Sequence, residues 1–238
     1  MFHVHAWAVP FIATFLGVKQ VYPGKYMIPN LLGLIQKEGV TFSHCVPTIL
    51  SMMLNDPASA SVDLSRWKVA IGGAALPQAL CVQALDRGVD VFAGYGMSET
   101  GPDIAFVHLT SEDLKKSRSE QAALRVRIGF PIGLVQMKVV DAEGREQPWD
   151  DHSSGEILLR APWLTKGYHK DADNSEKLWE GGWLHTQDVG VRNAAGSFRI
   201  TDRLKDVIKV GGEWLSSLEL EDILAGHPSV GEVSVIGL

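Results

Sequence analysis

The chain has 238 residues and a formal net charge of −6, with 45% hydrophobic and 21% charged side chains. That is ordinary globular composition, long enough for one large domain or two modest ones. The acidic balance and the lack of a basic stripe argue against a nucleic-acid partner, whereas one bound nucleotide needs only a local cluster of donors.

Taken in chain order, residues 6–18 are mostly apolar but too short to span a bilayer. They also lack the positive flank of a signal peptide, so the protein is read as soluble and cytoplasmic. A helix is expected over 29–37, opened by Pro29 and stopped by Gly39. A strand over 40–46 and a helix over 47–55 follow. Next come a strand over 68–71 running into Gly72-Gly73, a helix over 77–87 closed by Gly88, and a buried strand over 89–93. Strands alternating with helices of this length imply a parallel sheet with crossover helices. Cys45 and Cys81 lie in apolar stretches without zinc or disulfide spacing and read as reduced core residues.

Beyond about Ile104 the texture changes. A polar helix is expected over 111–123, then short strands over 136–140, 155–160, 189–192 and 197–200. Asp141-Ala142-Glu143-Gly144 and Asn193-Ala194-Ala195-Gly196 carry hairpin chemistry, so this region reads as mostly antiparallel. A helix over 216–225, closed by Gly226, and a strand over 230–236 end the chain. The fold class is α/β: a doubly wound parallel sheet unit (1–104), a mostly antiparallel β subdomain (105–202), and the start of a small α+β domain (203–238).

Open parallel sheets bind ligands at the carboxyl ends of their strands. The unusual residues fall there: His44 to Pro47, Gly72-Gly73-Ala74-Ala75, and Gly94-Tyr95-Gly96, each following a strand. Their position suggests one shared cleft. In Gly94-Tyr95-Gly96-Met97-Ser98-Glu99-Thr100, Tyr95 can offer a flat face to a base and Ser98 can donate to a phosphate oxygen. Glu99 is a hard ligand for magnesium. Composition alone balances this evenly against a plain strand-to-helix turn in which Glu99 is a solvated first-turn charge.

That phrase resembles the adenine and magnesium motif of the acyl-adenylate-forming (AMP-binding) superfamily. Other segments recur in the superfamily's order: Met1-Phe2-His3-Val4-His5-Ala6-Trp7, Gly72 to Pro77, Gly155 to Arg160 leading to Gly167-Tyr168, Trp183 to Asp188, and Asp202 to Glu221. The resemblance is closest to medium- and long-chain fatty-acyl-CoA synthetases. These are acid–thiol ligases using ATP, Mg2+ and coenzyme A, and giving AMP. It implies catalytic roles for Ser98, Glu99 and Lys205, with Glu99 on magnesium. It also implies a nucleotide site of Gly73, Ala74, Gly94, Tyr95, Gly96, Ser98, Asp188 (on the ribose) and Arg203.

Lys205 matches the hinge about which the small domain rotates between half-reactions. Lys209, Gly211, Gly212 and Trp214 match the loop that enters the site on the coenzyme A side. His5, Trp7 and Gly72 match the acyl pocket, with Trp7 as a gate over the fatty-acid tunnel or an ordinary core tryptophan. His3 and His5 would share a face of an extended strand, but further ligands for a metal are missing.

Three departures are visible. The family's phosphate loop is expected before Met1 and its C-terminal lysine beyond Leu238. Ser98 replaces a commoner threonine, and Gln187 a commoner glycine. Adenylyl transfer depends on positioning and charge neutralisation, so the chain by itself is expected to be inactive. The alternatives are a non-catalytic remnant or interaction module that keeps nucleotide-binding surfaces, and, within the family, a short-chain or thioether acid–CoA ligase. The expected partners are the small-molecule substrates, with no nucleic acid and at most peripheral membrane contact. Relatives in the long-chain branch imply a homodimer.

Overall fold

Proline and glycine bound the helices of the first half. Helix α1 (Val9–Phe15) carries Pro10 in its first turn, and α2 (Ile28–Glu38) carries Pro29 there. Gly39 ends α2 at φ 64°, its N–H donating to the Ile35 carbonyl, the left-handed cap that glycine adopts without a Cβ penalty. Strand β1 (Phe42–Cys45) leads into α3 (Pro47–Asn55), which starts on its proline. β2 (Lys68–Ile71), α4 (Gln78–Asp86) and β3 (Asp90–Tyr95) complete the alternation.

The computed structural model describes residues 8–101, 103–210, 213–225, 227, 229–230 and 233–237. It divides into two units, Met1–Val126 and Arg127–Leu238.

In the first unit β1, β2 and β3 are parallel neighbours in that order, Phe42 opposite Lys68 and Lys68 opposite Asp90. A two-residue strand β4 (Ala105–Phe106) then pairs antiparallel with the end of β3. The core is continuous from Leu32 and Ile35 of α2 through Leu50 and Met53 of α3 to Cys81 and Leu85 of α4, closed over Val69, Ile71 and Val91. Trp67, only 2% exposed, fills its middle and donates Nε1–H to Ser43 Oγ at 2.8 Å. Cys45 and Cys81 are free and buried, and burial pushes both thiols up to about 12, which makes them inert at neutral pH.

The single helix expected over 111–123 is two pieces: a 3-10 turn (Asp113–Lys115) and helix α5 (Arg118–Arg125). The physical reason is two start signals in series. Thr110 N–H donates to Asp113 Oδ2 at 2.9 Å, and Ser117 with Glu120 forms a reciprocal capping box. Lys116 between them is extended, so the backbone restarts.

In the second unit a two-residue strand β5 (Phe130–Pro131) precedes β6 (Gln136–Val140), β7 (Gly155–Arg160), β8 (Leu184–Arg192) and β9 (Phe198–Arg203). The last four form an antiparallel sheet in sequence order. β8 begins five residues earlier than expected, because its polar Thr-Gln-Asp run is a bulged strand rather than a turn. Between β7 and β8 lies helix α6 (Ala172–Leu178), a polar helix for which no element is expected from the apolar pattern. Its start signal is Asp171, whose Oδ1 accepts the Asn174 N–H at 3.2 Å.

A short hairpin, β10 (Ile208–Val210) with β11 (Glu213–Leu215), and helix α7 (Ser217–Ala225) follow. The strand expected over 230–236 is absent among its described residues. Val235 N–H donates at 2.9 Å to the Glu221 side chain instead of to a ladder partner. Gly226 lies outside the described residues. No helix among the described residues is long and apolar enough to cross a membrane.

Candidate active site

Three loops meet at the carboxyl ends of β1, β2 and β3. Gly72 marks the meeting point: a Cβ there would lie 3.0 Å from His44 Nε2 on β1 and 3.8 Å from the Gly94 carbonyl on β3. Gly72 is buried beneath the loop, whereas Gly73, at φ 81°, and Ala74 are exposed on it. A glycine at 73 is the residue that takes that φ without strain.

Gly94 and Tyr95 are the last two residues of β3, paired with Phe106 and Ala105, so the expected loop begins only at Gly96. Gly94 is needed for close approach, since a Cβ would lie 2.7 Å from the Phe106 ring. Tyr95 is 6% exposed. Ser98-Glu99-Thr100 forms a 3-10 turn, tied down by Thr100 Oγ1, which accepts the Met97 N–H at 2.9 Å. Ser98 is exposed on it and Glu99 half-buried. Among the described residues no three His, Cys, Asp or Glu side chains group as a metal cage.

Asp103, on the far side of this turn, belongs to no motif, and nothing in its neighbourhood in the sequence flags it. It is half-buried, and burial raises its carboxyl to about 6. A folded-state value above the unfolded 3.8 means that the folded protein holds this proton longer than the unfolded chain. Stability from this group is therefore full below about pH 4 and is lost as pH rises to about 6. Asp103→Asn is expected to raise stability by about 1–2 kcal/mol at pH 8, after discounting for solvent screening, and to change nothing at pH 4. Thermal melts of both proteins across that range check this; equal shifts at the two pH values would refute it.

The second unit carries the other predicted residues on β8 and β9. Asp188 and Arg203 are register partners, with Arg203 Nε 3.4 Å from Asp188 Oδ1. The Asp188 side chain is 13% exposed and the Arg203 side chain 60%. Just before Asp188 the chain is pinned. Thr186 Oγ1 donates to the Ile157 carbonyl at 2.7 Å and accepts the Asp188 N–H at 3.1 Å. Gln187 stands at φ 59°, a left-handed conformation that glycine takes without a Cβ penalty.

Lys205 is exposed in the turn after β9. Lys209 and Trp214 are register partners on the β10–β11 hairpin. Gly211 and Gly212 between them, and His3, His5 and Trp7, lie outside the described residues. Asp202, the first residue of the 202–221 segment, stands near the end of β9. It is buried, and its Oδ2 accepts the Ser217 N–H at 2.6 Å, capping α7 from the end of β9.

A parallel sheet with glycine-rich loops at its strand ends, followed by an antiparallel unit bearing an Asp–Arg pair, matches a known family. The model of the AMP-binding enzymes matches residues 1–169, and the chain belongs to that family. It is 39% identical to a long-chain-fatty-acid–CoA ligase of Thermus thermophilus, over all of this chain and 44% of that protein. It is 37% identical to a 3-methylmercaptopropionyl-CoA ligase of Ruegeria lacuscaerulensis, again over all of this chain and 44% of the relative. Among solved structures, the o-succinylbenzoate CoA synthetase of Bacillus subtilis in complex with its acyl-adenylate intermediate superposes with a TM-score of 0.81. The two are 26% identical, over 99% of this chain and 46% of that one. The chain thus spans less than half the length of the relatives it matches.

Proposed function

We propose that the chain is part of an AMP-forming fatty acid–CoA ligase. The observation that carries this reading is 39% identity along the whole chain to a long-chain-fatty-acid–CoA ligase, with the family's motif residues at the strand ends. In the first half-reaction a medium- or long-chain carboxylate attacks the α-phosphate of magnesium ATP, giving acyl-adenylate and pyrophosphate. In the second, the coenzyme A thiol attacks the mixed anhydride and AMP leaves.

Glu99 would contribute one carboxylate oxygen to magnesium, with phosphate oxygens and water supplying the rest. Its place on an accessible turn suits that role. Ser98 would donate to a phosphate oxygen, while Gly73, Ala74, Gly94, Tyr95 and Gly96 would line the base. Asp188 would accept both ribose hydroxyls, and the forked guanidinium of Arg203 would hold ribose or phosphate oxygens. Lys205 would be the pivot of the small domain between half-reactions, with 203–238 as hinge and small domain after parts 1–104 and 105–202. His5, Trp7 and Gly72 would shape the acyl pocket, and Lys209, Gly211, Gly212 and Trp214 the coenzyme A side. We place the enzyme in the cytoplasm as a homodimer.

The 37% identity to a 3-methylmercaptopropionyl-CoA ligase favours a second reading, in which the acid is short and carries a thioether. Pyrophosphate release by the full-length gene product, measured across a series of acids from a C4 thioether acid to C16, decides between them. Turnover rising with chain length supports the fatty-acid reading, and turnover confined to the short acids supports the thioether one. No turnover with any acid overturns both.

A further inference from the structure

The register of β7 and β8 contains a discontinuity that points to a residue outside the nucleotide-binding set. Glu156 pairs with Val189 and Leu158 with His185. Between those pairs β7 advances two residues and β8 four, so Thr186 to Asp188 bulge out of the β7–β8 ladder. The bulge contains Gln187 in the left-handed region, a conformation that a non-glycine residue keeps only when its surroundings over-determine it.

The side chain that over-determines it is Glu156. Its Oε1 accepts the Gln187 N–H at 2.9 Å, and its Oε2 lies 2.8 Å from His185 Nδ1. One carboxylate on β7 therefore holds both ends of the left-handed turn on β8. The Glu156 side chain is 14% exposed and that of His185 24%, so the two are largely shielded from competing water. From the other side, the Gln187 carbonyl accepts the Leu204 N–H at 2.9 Å. Asp188 is the next residue, and its direction follows from the turn before it.

We infer that Glu156, with His185, is a positioning residue for Asp188: it fixes the bulge that aims this carboxylate at a ribose. The inference rests on the reading of Asp188 as the ribose acceptor and adds the group that pre-organises it. Acting through another residue, Glu156 sets the discrimination between a ribose and a sugar without hydroxyls, not the overall fold.

The test is calorimetric titration of the 238-residue chain with AMP and with 2′,3′-dideoxy-AMP, in wild type and three variants. Glu156→Ala is expected to weaken AMP binding roughly tenfold and leave the dideoxy nucleotide within about twofold of wild type, so that the preference for ribose collapses. Glu156→Gln keeps an oxygen acceptor for the Gln187 N–H and is expected to bind AMP within about threefold of wild type. In Glu156→Ala/Gln187→Gly the glycine takes the left-handed φ freely and part of the preference returns. A Glu156→Ala variant with unchanged AMP affinity overturns the inference, as does an equal loss for both nucleotides, the mark of a merely structural role. A wild type that binds both nucleotides equally overturns the ribose reading of Asp188 itself, and the inference falls with it.

Discussion

Asp188→Ala is expected to weaken AMP binding about 100-fold, which corresponds to about 2.7 kcal/mol. Two hydroxyl groups would donate to one carboxylate, each such charge-assisted bond contributing about 1.5–3 kcal/mol, less the fraction that water restores once the side chain is gone. The setting favours a large effect. The Asp188 side chain is 13% exposed, so little water competes for its oxygens, and the Arg203 guanidinium at 3.4 Å holds it in place between β8 and β9. Asp188→Asn should lose less, about tenfold, because its single oxygen can still accept one hydroxyl. Calorimetry with AMP measures both. Affinity within about threefold of wild type for the alanine variant would remove Asp188 from the site and leave the Asp–Arg pair as a strand-to-strand ion pair.

Much of the first unit is legible in the sequence because its signals are local. Proline at the first turn and glycine just past the last bound α2, and α3 opens on Pro47 as expected. Short apolar runs between them have no alternative to burial on both faces, which identifies parallel strands. The errors have the same origin in reverse. The polar stretch from Thr110 contains two helix-start signals close together, one at Thr110 and one at Ser117, and hydrophobic periodicity alone does not separate them. The strand expected over 189–192 misses residues 184–188 because bulged strands use polar residues that break the apolar run.

The site divides along the same line. Glycines that the backbone requires are visible from spacing: Gly73 at φ 81° lies on a loop after a strand as expected, whereas Gly94, expected in a loop, is needed inside β3 against the Phe106 ring. What spacing does not reveal is the support behind them. Glu156 is 32 residues from Asp188 in the chain, and Asp202 reaches Ser217 across a hairpin. Such pairs follow from strand register, which no local pattern encodes once a bulge has shifted it.

Register also determines the largest stability effect expected in the second unit, at Gly155. It pairs with Gly190 across β7 and β8, and both glycines face a neighbouring backbone at a distance that only hydrogen fits. A Cβ on Gly155 would lie 2.1 Å from the Val140 carbonyl oxygen and 2.6 Å from its carbon. These are backbone atoms of β6, with no rotamer to change, so relief requires β6 and β7 to separate. That would break the ladder in which Val140 sits opposite Glu156.

Gly155→Ala is therefore expected to cost about 3 kcal/mol or more, at the upper end for overpacking and well beyond the usual surface substitution. Gly133 supplies the control. It lies in the same unit, and a Cβ added there would meet nothing within 4 Å, so Gly133→Ala should fall within about 0.5 kcal/mol of wild type. Urea unfolding followed by far-UV circular dichroism separates the two. Because Gly155 immediately precedes Glu156, Gly155→Ala should also abolish the preference for AMP over its dideoxy analogue before the transition begins. A Gly155→Ala protein with wild-type stability and wild-type preference would show that the β6–β7 spacing is wider than the register requires.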